Sequence, residues 1–199
     1  MLNSPEIVAA LNDPGPRGLT IVPRPNPEAL LARGGTSVDL RLGRWFRSFR
    51  QTRVESVSLV GSDPAHRVKS LGRARQHFVP FGDKYVLHPG RFVLGVTLEW
   101  LRLPAWISGY VTGKSSLGRH GLVIETAAGI HPRFSGCLTL ELANIGEVPL
   151  EIHPGMLICQ VFLHRTAEYT GAQLGGLFGS RKPILSEPSA DETFRRLCT

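Results

Sequence analysis

The sequence predicts a single all-β domain of short strands, preceded by one short helix. Three observations lead to this fold class. Short apolar runs recur from Thr36 onward, residues such as Gly, Pro and Asn interrupt them, and only one early segment suggests a helix. Short strands at such regular spacing are typical of β-sandwiches and barrels. The 199 residues, 42% of them hydrophobic, suffice for one packed core but not comfortably for two.

The expected elements follow in chain order. Residues 4–12 predict a short helix with Ser4 as its N-cap, and a Pro/Gly-rich link runs from Asp13 to Pro27. Residues 1–165 form the predicted β domain, and the polar, Gly/Pro-rich residues 166–199 predict a flexible C-terminal tail. The predicted strands are Ser37–Leu42, Val54–Val60, Tyr85–Leu87, Arg91–Leu98, Ile107–Val111, Leu122–Ile124, Cys137–Ala143, Leu150–Ile152 and Leu157–Leu163.

Composition narrows the class of partner. The formal net charge of +7 favours an anionic partner, but the basic residues are spread out, without a Lys/Arg block or a basic-aromatic motif. This pattern favours a free nucleotide over a nucleic acid polymer. No run approaches the roughly 20 apolar residues of a membrane span, and the N-terminus lacks a signal pattern. The cysteines, Cys137, Cys159 and Cys198, form no metal-type pair and indicate reduced thiols in a cytoplasmic protein.

A cluster of cations and hydroxyls lies between residues 113 and 119, in Gly-Lys-Ser-Ser-Leu-Gly-Arg. Such side chains can hold polyphosphate oxygens through charge-assisted hydrogen bonds. A P-loop would need glycine five residues before the Gly-Lys pair, and Ser108 occupies that position, so a P-loop NTPase is excluded. Two interpretations stay open for this segment, a solvated loop and a phosphate-binding site.

The stretch Leu138–Asn144 alternates as a strand does, which places three leucines on one face and Glu141 on the other. Glu141 is either a polar side chain that faces water or a partly buried carboxylate that shuttles protons. His131 lies between Ile130 and Pro132 in a predicted turn. No second His or Cys lies at metal-ligand spacing, so we predict no metal site.

Taken together, these segments resemble the dCTP deaminase branch of the dUTPase superfamily. They fall in the family's order and spacing from about residue 35 to 165. The resemblance implies a dUTPase-like distorted barrel, or β-clip, that assembles as a homotrimer with active sites at subunit interfaces. The matching stretches are Ser37–Gly43, Leu87–Gly90, Gly113–Arg119, Thr126–Ala127, Phe134–Asn144 and Pro154–Gln160.

The resemblance also implies a role for individual residues. Glu141 matches the catalytic glutamate, and Ser115 matches the serine that helps to hold the reacting water. The phosphate-binding segment, contributed across the subunit boundary, matches Lys114, Ser115, Ser116 and Arg119. The residues expected around the base, the sugar and the closing tail are Ala127, His131, Tyr169, Phe178 and Arg181.

The activity that the resemblance implies is hydrolytic deamination of dCTP to dUTP and ammonia. Zinc deaminases carry His-x-Glu and Pro-Cys-x-x-Cys, and neither pattern occurs in this sequence. We therefore expect no protein-bound cofactor, and Mg²⁺ only with the nucleotide's phosphates. Glu141 would take a proton from water attacking C4 of cytosine and pass it towards N3 and the departing ammonia.

The sequence departs from the family pattern at three places. His131 stands where the family usually has aspartate, and the segment Leu122–Ala127 is about one residue short. The tail around Phe178 reads Gly-Gly-Leu-Phe-Gly-Ser, which is closer to a dUTPase closing motif. This tail supports a dUTPase or a bifunctional deaminase and diphosphatase, whereas His131, a poorer base for water, opposes it. A non-catalytic nucleotide-binding module of the same fold is the third alternative.

Overall fold

The computed structural model describes residues 1–49, 74–125, 128–168, 180–185 and 196. In these residues the chain forms twelve strands and three short helices. The helices are α1 (Ser4–Asn12), α2 (Pro27–Arg33) and α3 (Ser115–Gly118). The strands are β1 (Thr20–Val22), β2 (Ser37–Arg41), β3 (Trp45–Phe49), β4 (Ala74–Phe78), β5 (Tyr85–Leu87), β6 (Phe92–Arg102), β7 (Ile107–Gly113), β8 (Leu122–Glu125), β9 (Gly129–Ile130), β10 (Ser135–Asn144), β11 (Leu150–Ile152) and β12 (Leu157–Arg165).

The strands form three antiparallel sheets. The largest has the order β4-β3-β6-β10-β8, with β1 also paired to β6. A second sheet has the order β2-β12-β7-β9, and β5 pairs with β11 in a two-stranded ribbon. The prediction of an all-β fold with an N-terminal helix over residues 4–12 is therefore confirmed. The strand predicted at 54–60 lies outside the described residues.

The core lies between the sheets, and the longest strands, β6 and β10, supply much of it. Along β10, Leu138, Leu140 and Leu142 are buried, whereas Thr139 is half-buried and Glu141 is exposed. The two-residue alternation predicted for this strand is therefore correct, because a period of two puts successive side chains on opposite faces. This alternation directs Glu141 away from the core.

Asn144 closes β10 and organises the turn that follows. Its side chain is 1% exposed, and its Nδ2 donates to the carbonyls of Leu87 and Val148, each at 2.8 Å. Its Oδ1 accepts from the backbone N–H of Gly146 at 2.9 Å. One buried amide thus satisfies three backbone groups, of which the Leu87 carbonyl is buried and the other two are partly buried. The end of the strand that bears Glu141 depends on these bonds.

Two elements lie where the sequence predicted only a link. β1 forms within it, and α2 begins at its last residue. The side chain of Asn26 caps α2 by accepting from the backbone of Glu28 and Ala29, with Pro27 in the first turn. Gly34 ends the helix in the left-handed conformation, with φ of 62°. The Asn-Pro start and the glycine end are standard helix signals that the prediction did not use.

The cap of α1 differs from the prediction by one residue. Asn3 is the N-cap: its Oδ1 accepts from the backbone N–H of Glu6, and Glu6 Oε2 accepts from the backbone N–H of Asn3, both at 3.0 Å. Ser4 instead lies inside the helix, where its hydroxyl donates to the carbonyl of Gly35 at 2.7 Å. The capping box therefore starts one residue earlier than predicted.

An Asn3→Ala variant is expected to lose about 1 kcal/mol of unfolding free energy, because the N–H of Glu6 loses its acceptor. For a chain of this size that corresponds to a fall in melting temperature of roughly 2–4 °C, measurable by calorimetry. Asn3→Ser is the control, since serine also caps helices and should keep most of the stability. Equal losses in the two variants would contradict the role of the Asn3 side chain.

None of the helices in the described part of the chain is long and apolar enough to span a membrane. The two described cysteines, Cys137 and Cys159, are buried and unpaired. Burial raises the pKa of the Cys159 thiol to about 12, so this group is protonated at neutral pH. Cys198 lies outside the described residues.

Candidate functional site

The predicted phosphate-binding segment lies at the junction of two sheets. β7 ends at Gly113, Lys114 is the N-cap residue of α3, and the chain then enters β8 in the largest sheet. Ser115 and Ser116 open α3 and are exposed, as is Arg119 after it. The segment therefore presents two hydroxyls and a guanidinium to solvent from one short turn.

Lys114 is the exception, because its ammonium group is already engaged. Its Nζ donates to Asp39 Oδ1 at 2.8 Å, and Arg33 Nη1 donates to the other carboxylate oxygen. Burial raises the pKa of Asp39, but the hydrogen bonds from Lys114 and Arg33 outweigh it, so the net pKa lies below its usual value. Asp39 is therefore ionised at neutral pH and holds two cations.

A cleft of about 350 Å³ lies beside Asp39, between β2 and the segment that joins β1 to α2. Its floor contains Glu99, whose side chain is 4% exposed and accepts from both the backbone N–H and the Nε of Arg41, each at 2.7 Å. A buried charge is tolerated when it is paired in this way. Glu141 is not among the residues that line this cleft.

Glu141 lies on the outward face of β10 and is exposed in the single chain. Its backbone pairs with Leu94 of β6 on one side and with Glu125 of β8 on the other. The residues that the structure describes therefore do not form the predicted pocket around this carboxylate within one chain. The strand fixes the position of the carboxylate, and groups from elsewhere must cover it if it is to act on a nucleotide.

Part of the tail, residues 180–185, lies along the same face of β10. The backbone N–H of Ile184 donates to the hydroxyl of Thr139 at 3.0 Å, and Pro183 is buried. The ammonium of Lys182 lies 4.6 Å from the centre of the Trp45 ring, within the range of a cation–π contact. Thr139 precedes Glu141 by two residues, so the tail contacts the side-chain row to which Glu141 belongs.

The other predicted site residues are distributed as follows. His131 is exposed in the turn after β9, where its carbonyl accepts from the backbone N–H of Phe134 at 3.2 Å. Arg181 is exposed at the start of the tail segment on β10. Ala127, Tyr169 and Phe178 lie outside the described residues, so their predicted roles stay predictions.

The structure thus brings the predicted residues together in two groups, the turn from Lys114 to Arg119 and the row of β10 with the tail beside it. No role was predicted from the sequence for Asp39 or Thr139. The sequence does contain an indication that Asp39 has a role, because this carboxylate lies between the apolar Val38 and Leu40 of a strand. Thr139 carried none beyond its place two residues before Glu141, because its contact with the tail depends on the fold.

No group of three or more His, Cys, Asp or Glu side chains suited to a metal ion occurs among the residues that the structure describes. What the candidate site offers instead is cations, hydroxyls and the exposed carboxylate of Glu141. Cations and hydroxyls bind phosphate oxygens, and a carboxylate moves protons.

Comparison with known proteins gives a consistent result. A model of the dCTP deaminase-like family matches residues 2–166. A dUMP-forming dCTP deaminase from Corynebacterium diphtheriae is 41% identical over 159 residues, which cover 76% of this chain and 81% of that protein. Its counterpart from a Parafrankia species is 42% identical over 163 residues, covering 80% of this chain and 77% of that protein.

The fold agrees with these relatives. The crystal structure of the 2′-deoxycytidine 5′-triphosphate deaminase from Agrobacterium tumefaciens aligns with 83% of this chain at a TM-score of 0.59 and 22% sequence identity. This chain spans 48% of that longer protein. The matched residues include Lys114, Glu141 and every strand of the fold, and the chain therefore belongs to the dCTP deaminase-like family.

Proposed function

We propose that this protein deaminates dCTP and cleaves the triphosphate, so that dCTP and two waters yield dUMP, ammonia and diphosphate. One observation carries the proposal: this chain is 41% identical to a dUMP-forming deaminase and carries a carboxylate, Glu141, on the open face of β10. Cations and hydroxyls for a triphosphate lie at Lys114, Ser115 and Arg119. Both parts of such a site are therefore present in the sequence.

Glu141 acts as the proton carrier in this proposal. Water adds to C4 of cytosine as the carboxylate takes one of its protons and delivers it to N3. The carboxylate then takes the second proton from the new C4 hydroxyl and gives it to the amino group, which leaves as ammonia while the C4 carbonyl forms. Ser115 holds the reacting water, in accord with the family resemblance. No protein-bound metal takes part in this step, and Mg²⁺ accompanies the triphosphate of the substrate.

The active enzyme in this proposal is a homotrimer. In one chain Glu141, Ser115 and Arg119 are all exposed, so bulk water would compete for each of their hydrogen bonds. A second copy that covers β10 with its own turn at Ser115 would exclude that water and join the two halves of the site. This completion across subunits is what the family resemblance implies, and the exposure of Glu141 supports it.

The product distinguishes two forms of the proposal. Deamination alone, our first expectation from the sequence, would release dUTP. The relatives from Corynebacterium and Parafrankia are dUMP-forming, and the Gly-Gly-Leu-Phe-Gly-Ser tail around Phe178 also favours cleavage of the triphosphate. His131, in place of the usual aspartate, opposes it. The relatives match over most of both chains, and this favours dUMP as the product.

Separate assays for ammonia and diphosphate test this proposal. The protein is incubated with dCTP, dUTP, dCMP and dTTP, each with Mg²⁺. Equal amounts of ammonia and diphosphate are expected from dCTP. Ammonia without diphosphate would show that dUTP is the product, and diphosphate from dUTP alone would show a hydrolase without deaminase activity. Nucleotide binding without any turnover would contradict the enzyme and support the non-catalytic module.

A further inference from the structure

Lys114 is one of the predicted phosphate-binding residues. Its ammonium group is held by a hydrogen bond to the carboxylate of Asp39. We infer that Asp39 is a positioning residue, which holds the ammonium of Lys114 in place for the substrate's polyphosphate while Arg33 offsets its negative charge. The inference rests on the proposed function, and it adds two residues to the site, Asp39 and Arg33, that do not themselves need to touch the nucleotide.

The first support is the path of the Lys114 side chain across the sheet. Thr112 of β7, Gln160 of β12 and Asp39 of β2 occupy one row of paired residues. Neighbouring strands lie about 4.8 Å apart, so Asp39 is roughly two strands away from β7. The stem of Lys114 therefore crosses β12 to reach the carboxylate. A side chain that is extended over a neighbouring strand has little freedom left.

The second support is burial. The side chain of Asp39 is only 10% exposed and that of Lys114 is 25% exposed, whereas Arg33 is 62% exposed. The bond between Asp39 and Lys114 is thus shielded from water, and a shielded ion pair is stronger than one on the open surface. Arg33 closes the triad from the solvent side, at the C-terminal end of α2.

The third support is the balance of charge. Two cations share one carboxylate, which leaves the triad with one net positive charge. Lys114 has three N–H donors and uses one of them on Asp39, so two can still bind phosphate oxygens. A free lysine would lose rotamer entropy on binding the phosphate, and here most of that loss occurs on folding.

A double-mutant cycle tests the inference. Asp39→Asn is expected to raise the KM for dCTP about tenfold, the loss of about one hydrogen bond, with kcat changed less than threefold. If Asp39 acts through Lys114, then Lys114→Met combined with Asp39→Asn should be no worse than Lys114→Met alone. Effects on KM that multiply in the double variant would overturn the inference.

A matched control is available on the surface. Glu151 pairs with Lys84 at 2.5 Å, and both side chains are about half exposed. Glu151→Gln makes the same change of carboxylate to amide beside a lysine, and it should leave the KM for dCTP unchanged. An equal rise in KM for this variant would show that the effect of Asp39→Asn reflects charge in general, which contradicts a positioning role.

A second variant guards against a failure of Asp39→Asn to fold. Arg33 is exposed, so Arg33→Gln should fold normally. Without this arginine the carboxylate neutralises Lys114 completely, and the KM for dCTP should rise severalfold with kcat unchanged. A KM equal to that of the wild type would overturn the part assigned to Arg33.

Nuclear magnetic resonance separates this inference from the proposed function. An immobilised ammonium group exchanges its protons slowly and gives a ¹⁵N signal, which the Lys114→Met variant identifies by its absence. The signal should also vanish in Asp39→Asn and should shift when inorganic tripolyphosphate is added to the wild type. A signal that persists in Asp39→Asn overturns the inference even if dCTP is deaminated. A signal that behaves as expected without any turnover supports it and contradicts the proposed function.

Discussion

A Glu141→Gln variant is expected to release ammonia from dCTP about 10²–10⁴ times more slowly than the wild type, because glutamine keeps the shape and cannot carry the proton. The side chain projects outward from a paired strand, so the change should leave the fold intact. The KM for dCTP should change little, since the proposed phosphate contacts lie on the turn that begins at Lys114. A coupled assay for ammonia measures the loss directly.

Glu147→Gln is the matched control for this variant. Glu147 is an exposed carboxylate six residues along the chain, in the turn after β10. The Glu147→Gln variant should release ammonia from dCTP at the full rate, which would show that loss of one surface charge near the strand is harmless. If Glu141→Gln instead retains most of the ammonia release, Glu141 is not the proton carrier and another group must be sought.

An Asn144→Ala variant is expected to lose about 3–5 kcal/mol of unfolding free energy. The substitution removes the partner of the buried Leu87 carbonyl, and also that of the Val148 carbonyl and the Gly146 N–H, whose bonds are partly buried. For a chain of this length the melting temperature should fall by roughly 6–20 °C. Calorimetry measures the fall.

Asn12→Ala provides the comparison for Asn144. The side chain of Asn12 is exposed at the end of α1, where it accepts a hydrogen bond from the exposed Arg24. Its loss should cost well under 1 kcal/mol, because water can replace the bond. Comparable losses for the two variants would show that the three bonds of Asn144 do not hold the end of β10.

The strand pattern could be predicted because one face of each strand is buried. Leu138, Leu140 and Leu142 alternate with outward residues, and the structure buries those leucines. β3 was missed for the opposite reason. Its sequence, Trp-Phe-Arg-Ser-Phe, buries Phe46 alone, and pairing with β4 and β6 makes it a strand. Such pairing depends on distant parts of the chain and leaves little trace in local sequence.

The candidate site was predictable only in part. The motif around Lys114 and the strand around Glu141 could be identified from residue order and family resemblance. The contact between Lys114 and Asp39 could not, because 75 residues separate them and only the order β2-β12-β7 brings them together. Local spacing likewise could not predict whether Glu141 is covered, since in the proposed trimer the answer depends on a second copy of the chain.

β10 is paired with a strand on both sides, and this limits how far its backbone can move. Moving the backbone at residue 141 would break ladders to β6 and β8 at once, so it requires the opening of a large part of the sheet. The amides around this residue should accordingly be among the slowest to exchange with deuterium. New substrate preferences are expected to arise in the turn near Ser115 and in the tail, while the carboxylate stays where the sheet holds it.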